Sequence, residues 1–290
     1  MKSWTIIKLL SWVESYFSKH LIDSPRLTGE LLLSHSLGLR RLDLYLQHDR
    51  PLDKNELSEF KVLIKKRVEN QPLAYIIGKK GFYESDFQVT NDVLIPRPDT
   101  ETIVDQALKI LNQNSKPSKI LELGTGSGAI IISLAKEIPD NTYFANDISL
   151  AAIKIAKINA KKIVNRSITF CCDRWFSSLK ADTQFDLIIS NPPYIPSMNI
   201  TELAPEIRNY EPMLALDGGK DGFDCFRAIL KKAYNYLVPG GVILLEMGLD
   251  QKEGLINIIN KYSQYESVKF IKDLAGHDRV ALAKKTIIRK

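Results

Sequence analysis

Apolar residues in the first 75 positions recur at helical spacing. Ile6, Leu9, Leu10, Val13 and Phe17 fall on one face of a helix. "SPRLTGELLLSHSLG" predicts a second helix, closed by Gly38 at the position just past its end. "DKNELSEFKVLIKKRVENQP" predicts another, with Pro72 just beyond it. Short amphipathic helices with no strands between them imply a small helical bundle over residues 1–75. The period then changes. "GFYESDFQVT" alternates, so residues 76–100 are expected to form a β-hairpin or extended linker. A helix follows with Ile103, Val104, Ala107, Leu108 and Leu111 on its apolar face, capped by Asp99 or Thr100. From Lys119 onward, strand patterns ("KILELG", "TYFAND", "ITFCCD", "FDLIIS", "GVILLEMG") alternate with helical ones. That alternation predicts a parallel sheet covered by helices on both faces. The tail, "ESVKFIKDLAGHDRVALAKK", reads as two strands around a turn. The expected architecture of residues 101–290 is therefore an α/β, doubly wound sheet ending in an antiparallel hairpin.

Composition narrows the class without choosing a function. Hydrophobic residues make up 44% and charged residues 26%, which excludes a disordered chain. The net charge of +6 is spread along the sequence and needs no nucleic-acid partner to explain it. Residues 1–90 carry 14 basic and 11 acidic side chains, a weak footprint for nucleic-acid recognition. The three cysteines have neither metal-site nor disulfide-framework spacing. They point to reduced thiols and a cytoplasmic protein without a metal. The N-terminal apolar run is broken by Lys8 and Glu14, so neither a signal peptide nor a membrane span is expected.

The candidate chemistry begins at "ILELGTGSGAI". Gly124, Gly126 and Gly128 directly follow the first strand of the alternating region, and a helix opens behind them. Glycines there allow a tight turn and close approach of a ligand to the backbone. The spacing is GxGxG, neither the dinucleotide fingerprint nor a P-loop. The next strand ends in Asp147, where a carboxylate can accept hydrogen bonds from ribose hydroxyls. Together the loop and the carboxylate predict a nucleoside ligand at the carboxyl edge of the sheet. "ELGTGSG" resembles the first motif of Rossmann-like S-adenosylmethionine methyltransferases, which implies S-adenosylmethionine as the ligand and S-adenosylhomocysteine as the product. Gly124, Thr125, Gly126, Ser127, Gly128 and Asp147 would bind it. Asp173 and Trp175 in "CCDRWF" reach the same edge as candidates for the adenine ring, though Trp175 equally suits the core.

"SNPPYIP" ends the apolar strand "FDLIIS". Two prolines cannot continue a ladder, because neither donates a hydrogen bond. They stiffen the backbone around Asn191, which the strand delivers beside the donor. Neither Asn nor Pro is a base at neutral pH. The acceptor should therefore be a nitrogen bearing hydrogens, held by the side-chain oxygen of Asn191 and the carbonyl of Pro192. Tyr194 offers a face on which a planar amide or base could stack. Asn191, Pro192, Pro193 and Tyr194 are the expected substrate clamp, with Asn191, Pro192 and Tyr194 nearest the chemistry and Asn191 also beside the cofactor. NPPY resembles the signature of adenine-N6 methyltransferases and of glutamine-N5 methyltransferases alike.

Two further stretches, residues 71–101 and 205–230, resemble the release-factor glutamine methyltransferases (the PrmC or HemK family), and the match extends through "GHDRVAL". The resemblance implies methylation of the glutamine in the Gly-Gly-Gln loop of class I peptide chain release factors. The enzyme is expected to be a monomer, and its N-terminal helical domain, which has short amphipathic helices and no catalytic cluster, is expected to recognise the substrate. The competing expectations are a glutamine methyltransferase of a ribosomal protein and an adenine-N6 methyltransferase. Arg97 in "IPRPDTE" is either a surface charge or a residue facing the substrate.

Overall fold

The computed structural model describes residues 4–164 and 166–287; the outermost ends of the expected domains, at residues 1 and 290, lie outside the described residues. The chain divides into two compact units. One comprises residues 1–78 with 205–210, the other residues 79–204 with 211–290. The division differs from the expected boundaries at 75 and 100. The hairpin belongs with the sheet, and six residues from the middle of the chain belong with the helices.

The helical unit contains α1 (Ile6–Lys19), α2 (Pro25–Leu37), α3 (Arg41–Leu46), α4 (Lys54–Val68) and α5 (Leu73–Ile77). The face read from the sequence is the buried one: Ile6, Leu9, Leu10, Val13 and Phe17 line the inside of α1. They pack with Leu32, Leu33, Leu44, Phe60 and Ile64. Gly38 ends α2 in the left-handed conformation (φ 64°). Asp53 starts α4 by accepting from the amides of Asn55 and Glu56, while Glu56 reaches back to the Asp53 amide. Buried Glu30 is held by Arg26 and Arg41, each at 2.7 Å. Residues 205–210 join this unit through the Arg67–Glu206 ion pair (2.9 Å) and the Tyr210 hydroxyl, which donates to the Glu69 carbonyl (2.8 Å).

The second unit runs β1 (Lys79–Phe82), β2 (Ser85–Gln88), α6 (Glu101–Leu111), β3 (Lys119–Leu123), α7 (Ala129–Glu137), β4 (Thr142–Asp147), α8 (Leu150–Ile163), β5 (Ile168–Cys172) and β6 (Phe185–Ser190). The four-residue α9 (Pro205–Arg208) lies in the helical unit. Then come α10 (Asp224–Tyr236), β7 (Leu237–Glu246), α11 (Lys252–Ile259), β8 (Tyr265–Lys272) and β9 (Asp278–Lys285). β1 and β2 form the expected hairpin. The hairpin is tied to α8 by Asn159, whose side chain accepts from the Gln88 amide (2.7 Å) and donates to the Gln88 carbonyl (3.0 Å).

The seven-stranded sheet has the order β5-β4-β3-β6-β7-β9-β8. β5, β4, β3, β6 and β7 are parallel, and β9 and β8 are antiparallel additions. The expected terminal hairpin is present, with its second strand next to β7. Helices cover both faces, each with its own apolar cluster. The order reverses between β3 and β6. The carboxyl edge of the sheet at such a reversal is the place where open α/β sheets bind ligands.

Candidate active site

Three left-handed glycines shape the loop after β3: Gly124 (φ 71°), Gly126 (φ 54°) and Gly128 (φ 82°). Each would strain an ordinary residue. Their surroundings differ. A side chain at Gly128 would meet Ile132 Cδ1 at 2.6 Å and Ala156 Cβ at 3.3 Å, so this glycine lets α7 and α8 close together. A side chain at Gly126 would meet nothing within 4 Å. Gly126 lines a cavity of about 390 Å³, so its missing side chain leaves open room there. Thr125 and Ser127 line the same cavity but are themselves buried.

The loop is held by acids. The Gly126 amide donates to Asp147 Oδ2 (2.9 Å) and the Ser149 amide to Oδ1 (2.8 Å). Asp147 is thus fixed at the end of β4, and burial raises its pKa. The Thr125 hydroxyl donates to Glu122 Oε2, and the Ile131 amide reaches the same oxygen at 3.3 Å. Glu122 is fully buried, and desolvation, aided by Asp147, pushes its carboxyl up to about 8. Glu122 lies inside the quoted loop motif, but the sequence reading assigned it no role. Its only sequence signal was a carboxylate between two leucines near the end of a largely apolar strand.

Trp175 and Asp173 both line the cavity beyond β5. Trp175 Cζ3 lies 3.7 Å from where a Gly124 side chain would begin. The Trp175 ring also packs against the apolar cluster under the sheet, so both sequence readings of this residue apply. The Asp173 carboxylate accepts from the Arg174 amide (2.7 Å), the Ser178 amide (2.7 Å) and the Ser178 hydroxyl (2.8 Å). It shapes its own turn as well as facing the cavity.

Asn191 follows β6 directly. Ser190 and Leu123 are in register, and the Ser190 hydroxyl donates to the Leu123 carbonyl (2.8 Å), locking the ends of β3 and β6 together. Asn191 and Pro193 line the cavity. Pro192 is buried and is not part of the cavity wall. Tyr194 is not part of the wall either, which departs from its expected role as a stacking face. Its ring packs against the apolar cluster, its carbonyl accepts from Gln251 Nε2 (2.9 Å), and burial pushes its hydroxyl up to about 12. Gly218 and Gly222 allow that packing, since a side chain on either would strike the Tyr194 backbone within 3 Å. Tyr194 therefore buttresses the turn.

The cap expected at Asp99 or Thr100 also differs. Residues Pro98–Thr100 form a 3-10 turn leading into α6, and the Thr100 side chain makes no cap. Thr100 Oγ1 instead accepts from Asn191 Nδ2 (3.3 Å), and Asp99 pairs with Arg279 (3.1 Å). Arg97 stands in the cavity wall and is paired with Glu211. The facing wall, Pro212 to Ala215, includes exposed Met213 and Leu214. The sequence reading gave this wall no role in the site.

A cavity of this size at the switch point, open beside Gly126 and lined by buried Glu122 and half-buried Asp147, fits a nucleoside. The Rossmann-like methyltransferases that use S-adenosylmethionine are built this way, and the methyltransferase small domain family matches residues 100–207. A solved methyltransferase structure from Pyrococcus furiosus shares the fold, with a TM-score of 0.50 at 21% identity over 80% of this chain and 99% of that one. The PrmC N-terminal domain family matches residues 8–78. The release factor glutamine methyltransferase of Geobacter sulfurreducens is 42% identical over 258 residues, 89% of each chain. That of Chlorobaculum tepidum is 38% identical over 286 residues, 96% of each. The chain belongs to the release factor glutamine methyltransferase family, and it is an S-adenosylmethionine-dependent enzyme.

Proposed function

We infer that this enzyme transfers a methyl group to the side-chain amide nitrogen of the glutamine in the Gly-Gly-Gln loop of class I peptide chain release factors. Membership of the family supports the substrate. The observation that carries the chemistry is Asn191 at the cavity wall, anchored beside the glycine loop by the β3–β6 register. When bound, S-adenosylmethionine supplies an electrophilic methyl on a sulfonium and departs as S-adenosylhomocysteine.

The chain's residues bind and orient. Gly124 to Ser127 and Asp147 hold the donor, Gly128 serves the packing of α7 on α8 and not the donor, and Trp175 is an apolar surface beside it. Asn191 Oδ1 accepts an N–H of the substrate amide. An amide nitrogen is a weak nucleophile because its lone pair is delocalised. Fixing one N–H on an oxygen aligns that nitrogen with the methyl and favours its pyramidal geometry. Positioning of this kind supplies much of an enzyme's rate without a general base. As the nitrogen bonds to carbon it releases a proton to water. Pro192 and Pro193 stiffen the turn, and Tyr194 supports it from below.

We place the reaction in the cytoplasm, with a monomeric enzyme acting on protein and not on nucleic acid. Among the described residues no helix is long and apolar enough to cross a membrane. The helical unit is assigned to recognition of the release factor body, since a mobile loop alone offers little binding surface. The test is incubation with labelled donor and three acceptors in parallel: release factor, ribosomal protein and DNA. Label on the release-factor glutamine supports the reading, and label on adenine or on the ribosomal protein alone refutes it.

A further inference from the structure

Glu246 closes β7, immediately after Leu245, which lies in register with Ser190 on β6. The pairing sets Glu246 beside Asn191. Glu246 is 2% exposed and does not line the cavity; its Oε2 has no hydrogen-bond partner. The Thr100 and Asn191 side chains lie beside it and favour its charged form. Asn191 Nδ2 in turn donates to Thr100 Oγ1. A hydroxyl has one hydrogen to give. Having accepted from Asn191, Thr100 is left with its hydrogen for a further acceptor, and the Glu246 carboxylate is beside it.

We propose that Glu246 is a positioning residue that, directly and through Thr100, fixes the Asn191 amide with its oxygen toward the acceptor. The inference rests on Asn191 being the acceptor clamp. An amide is nearly symmetric in shape, so packing alone does not choose between its oxygen and its nitrogen. The choice needs a neighbour that can only accept, and an ionised carboxylate is such a neighbour. A protonated Glu246 can donate to Thr100. Thr100 then turns its own hydrogen to Asn191, whose oxygen rotates to receive it. The Asn191 NH₂ would face the substrate NH₂, donor against donor, and the clamp would be lost.

The groups facing Glu246 make this state reachable near neutral pH. Arg279 on β9 is the nearby cation, but it is shared with Asp273 (3.2 Å) and Asp99 (3.1 Å). Asp99 adds repulsion, and the un-ionised Tyr194 hydroxyl adds no charge. Burial therefore dominates and pushes the Glu246 carboxyl up to about 7.

The test is methylation of a Gly-Gly-Gln peptide at saturating donor from pH 6 to pH 9, with the full-length wild type, Glu246→Gln and Thr100→Val. Wild-type kcat should rise through about pH 7 and then level. Glu246→Gln should lower kcat roughly 10- to 100-fold at pH 8, as loss of a supporting partner does elsewhere. It should lack the rise near pH 7 and keep its donor Kd within about twofold. Thr100→Val should lower kcat similarly while leaving Glu246 in place, and it decides the matter if the Gln variant fails to fold. Glu122 titrates in all three proteins, so the difference between them reports on Glu246. Wild-type kcat in either variant, a retained rise near pH 7 in Glu246→Gln, or equal losses of donor affinity and kcat would overturn the inference. A wild type inert toward every glutamine substrate would overturn the underlying reading, and this inference with it.

Discussion

Gly126 and Gly128 sit two residues apart in one loop, both left-handed, yet replacing each by alanine should break a different property. The left-handed backbone costs an alanine about 1–2 kcal/mol at either site. Alanine also restricts the unfolded chain, which offsets about 0.4–1 kcal/mol of that. At Gly126 nothing lies within 4 Å of the new methyl, so the net loss of stability should stay near 1 kcal/mol. That methyl occupies the open room beside the loop, and donor affinity should fall at least about tenfold, equivalent to about 1.4 kcal/mol. At Gly128 the methyl lands 2.6 Å from Ile132 Cδ1 and 3.3 Å from Ala156 Cβ, and both neighbours are fully buried. Overpacking adds about 1–3 kcal/mol, so Gly128→Ala should be the less stable variant by that margin. Its folded fraction should still bind donor. Thermal unfolding with and without S-adenosylhomocysteine separates the two, with calorimetry giving Kd. Gly126→Ala should show a nearly normal Tm without ligand and a much reduced ligand-induced shift. Gly128→Ala should show a low Tm and a preserved shift. Wild-type affinity in Gly126→Ala, or lost affinity with an unchanged Tm in Gly128→Ala, would refute this division of roles.

Three further outcomes are expected. Asn191→Ala should lower kcat by about 10²–10³ with little change in donor Kd, as for other preorganised groups at a reacting centre; single-turnover assays with saturating donor measure it. Glu246 is raised from 4.5 to about 7 in the folded protein. Its contribution therefore favours folding most below pH 4.5 and is lost as pH rises through 7. The difference corresponds to roughly 3 kcal/mol at about 1.4 per unit, so Glu246→Gln should be more stable than wild type at pH 8 even as it loses activity. Equal or lower stability by urea unfolding at that pH would contradict the assignment. Leu42 and Leu46 lie one turn apart on α3, 61% and 69% exposed. Changing both to Glu should raise KM for intact release factor several-fold and leave kcat/KM for a Gly-Gly-Gln peptide unchanged; equal effects on both substrates would remove α3 from recognition.

Much of the sheet was legible because its signals are local. Strands buried on both faces, such as Phe185–Ser190, read as continuous apolar runs, and the glycine loop announces a sharp turn with close approach. The α1 face was equally plain from its period. What escaped was set by distant partners. Thr100 reads as a helix cap, but its hydroxyl is turned toward Asn191, 91 positions away. Tyr194 reads as a stacking face for the substrate, yet Gly218, Gly222 and Gln251 draw it into the turn's support. Residues 205–210 join the helical unit through Arg67 and Glu69, a pairing no local pattern encodes. The Pro212–Ala215 wall and the Arg97–Glu211 pair likewise depend on how the chain folds back, which spacing alone does not reveal.

The central claim is that the enzyme methylates a glutamine amide, and mass spectrometry of the product tests it most directly. Release factor should be incubated with the enzyme and S-adenosylmethionine, digested, and its Gly-Gly-Gln peptide fragmented. A single methyl group on the glutamine side-chain nitrogen, absent when Asn191→Ala replaces the wild type, is the predicted result. A methyl group on any other residue, or an unmodified glutamine beside a methylated nucleic acid, would contradict the account.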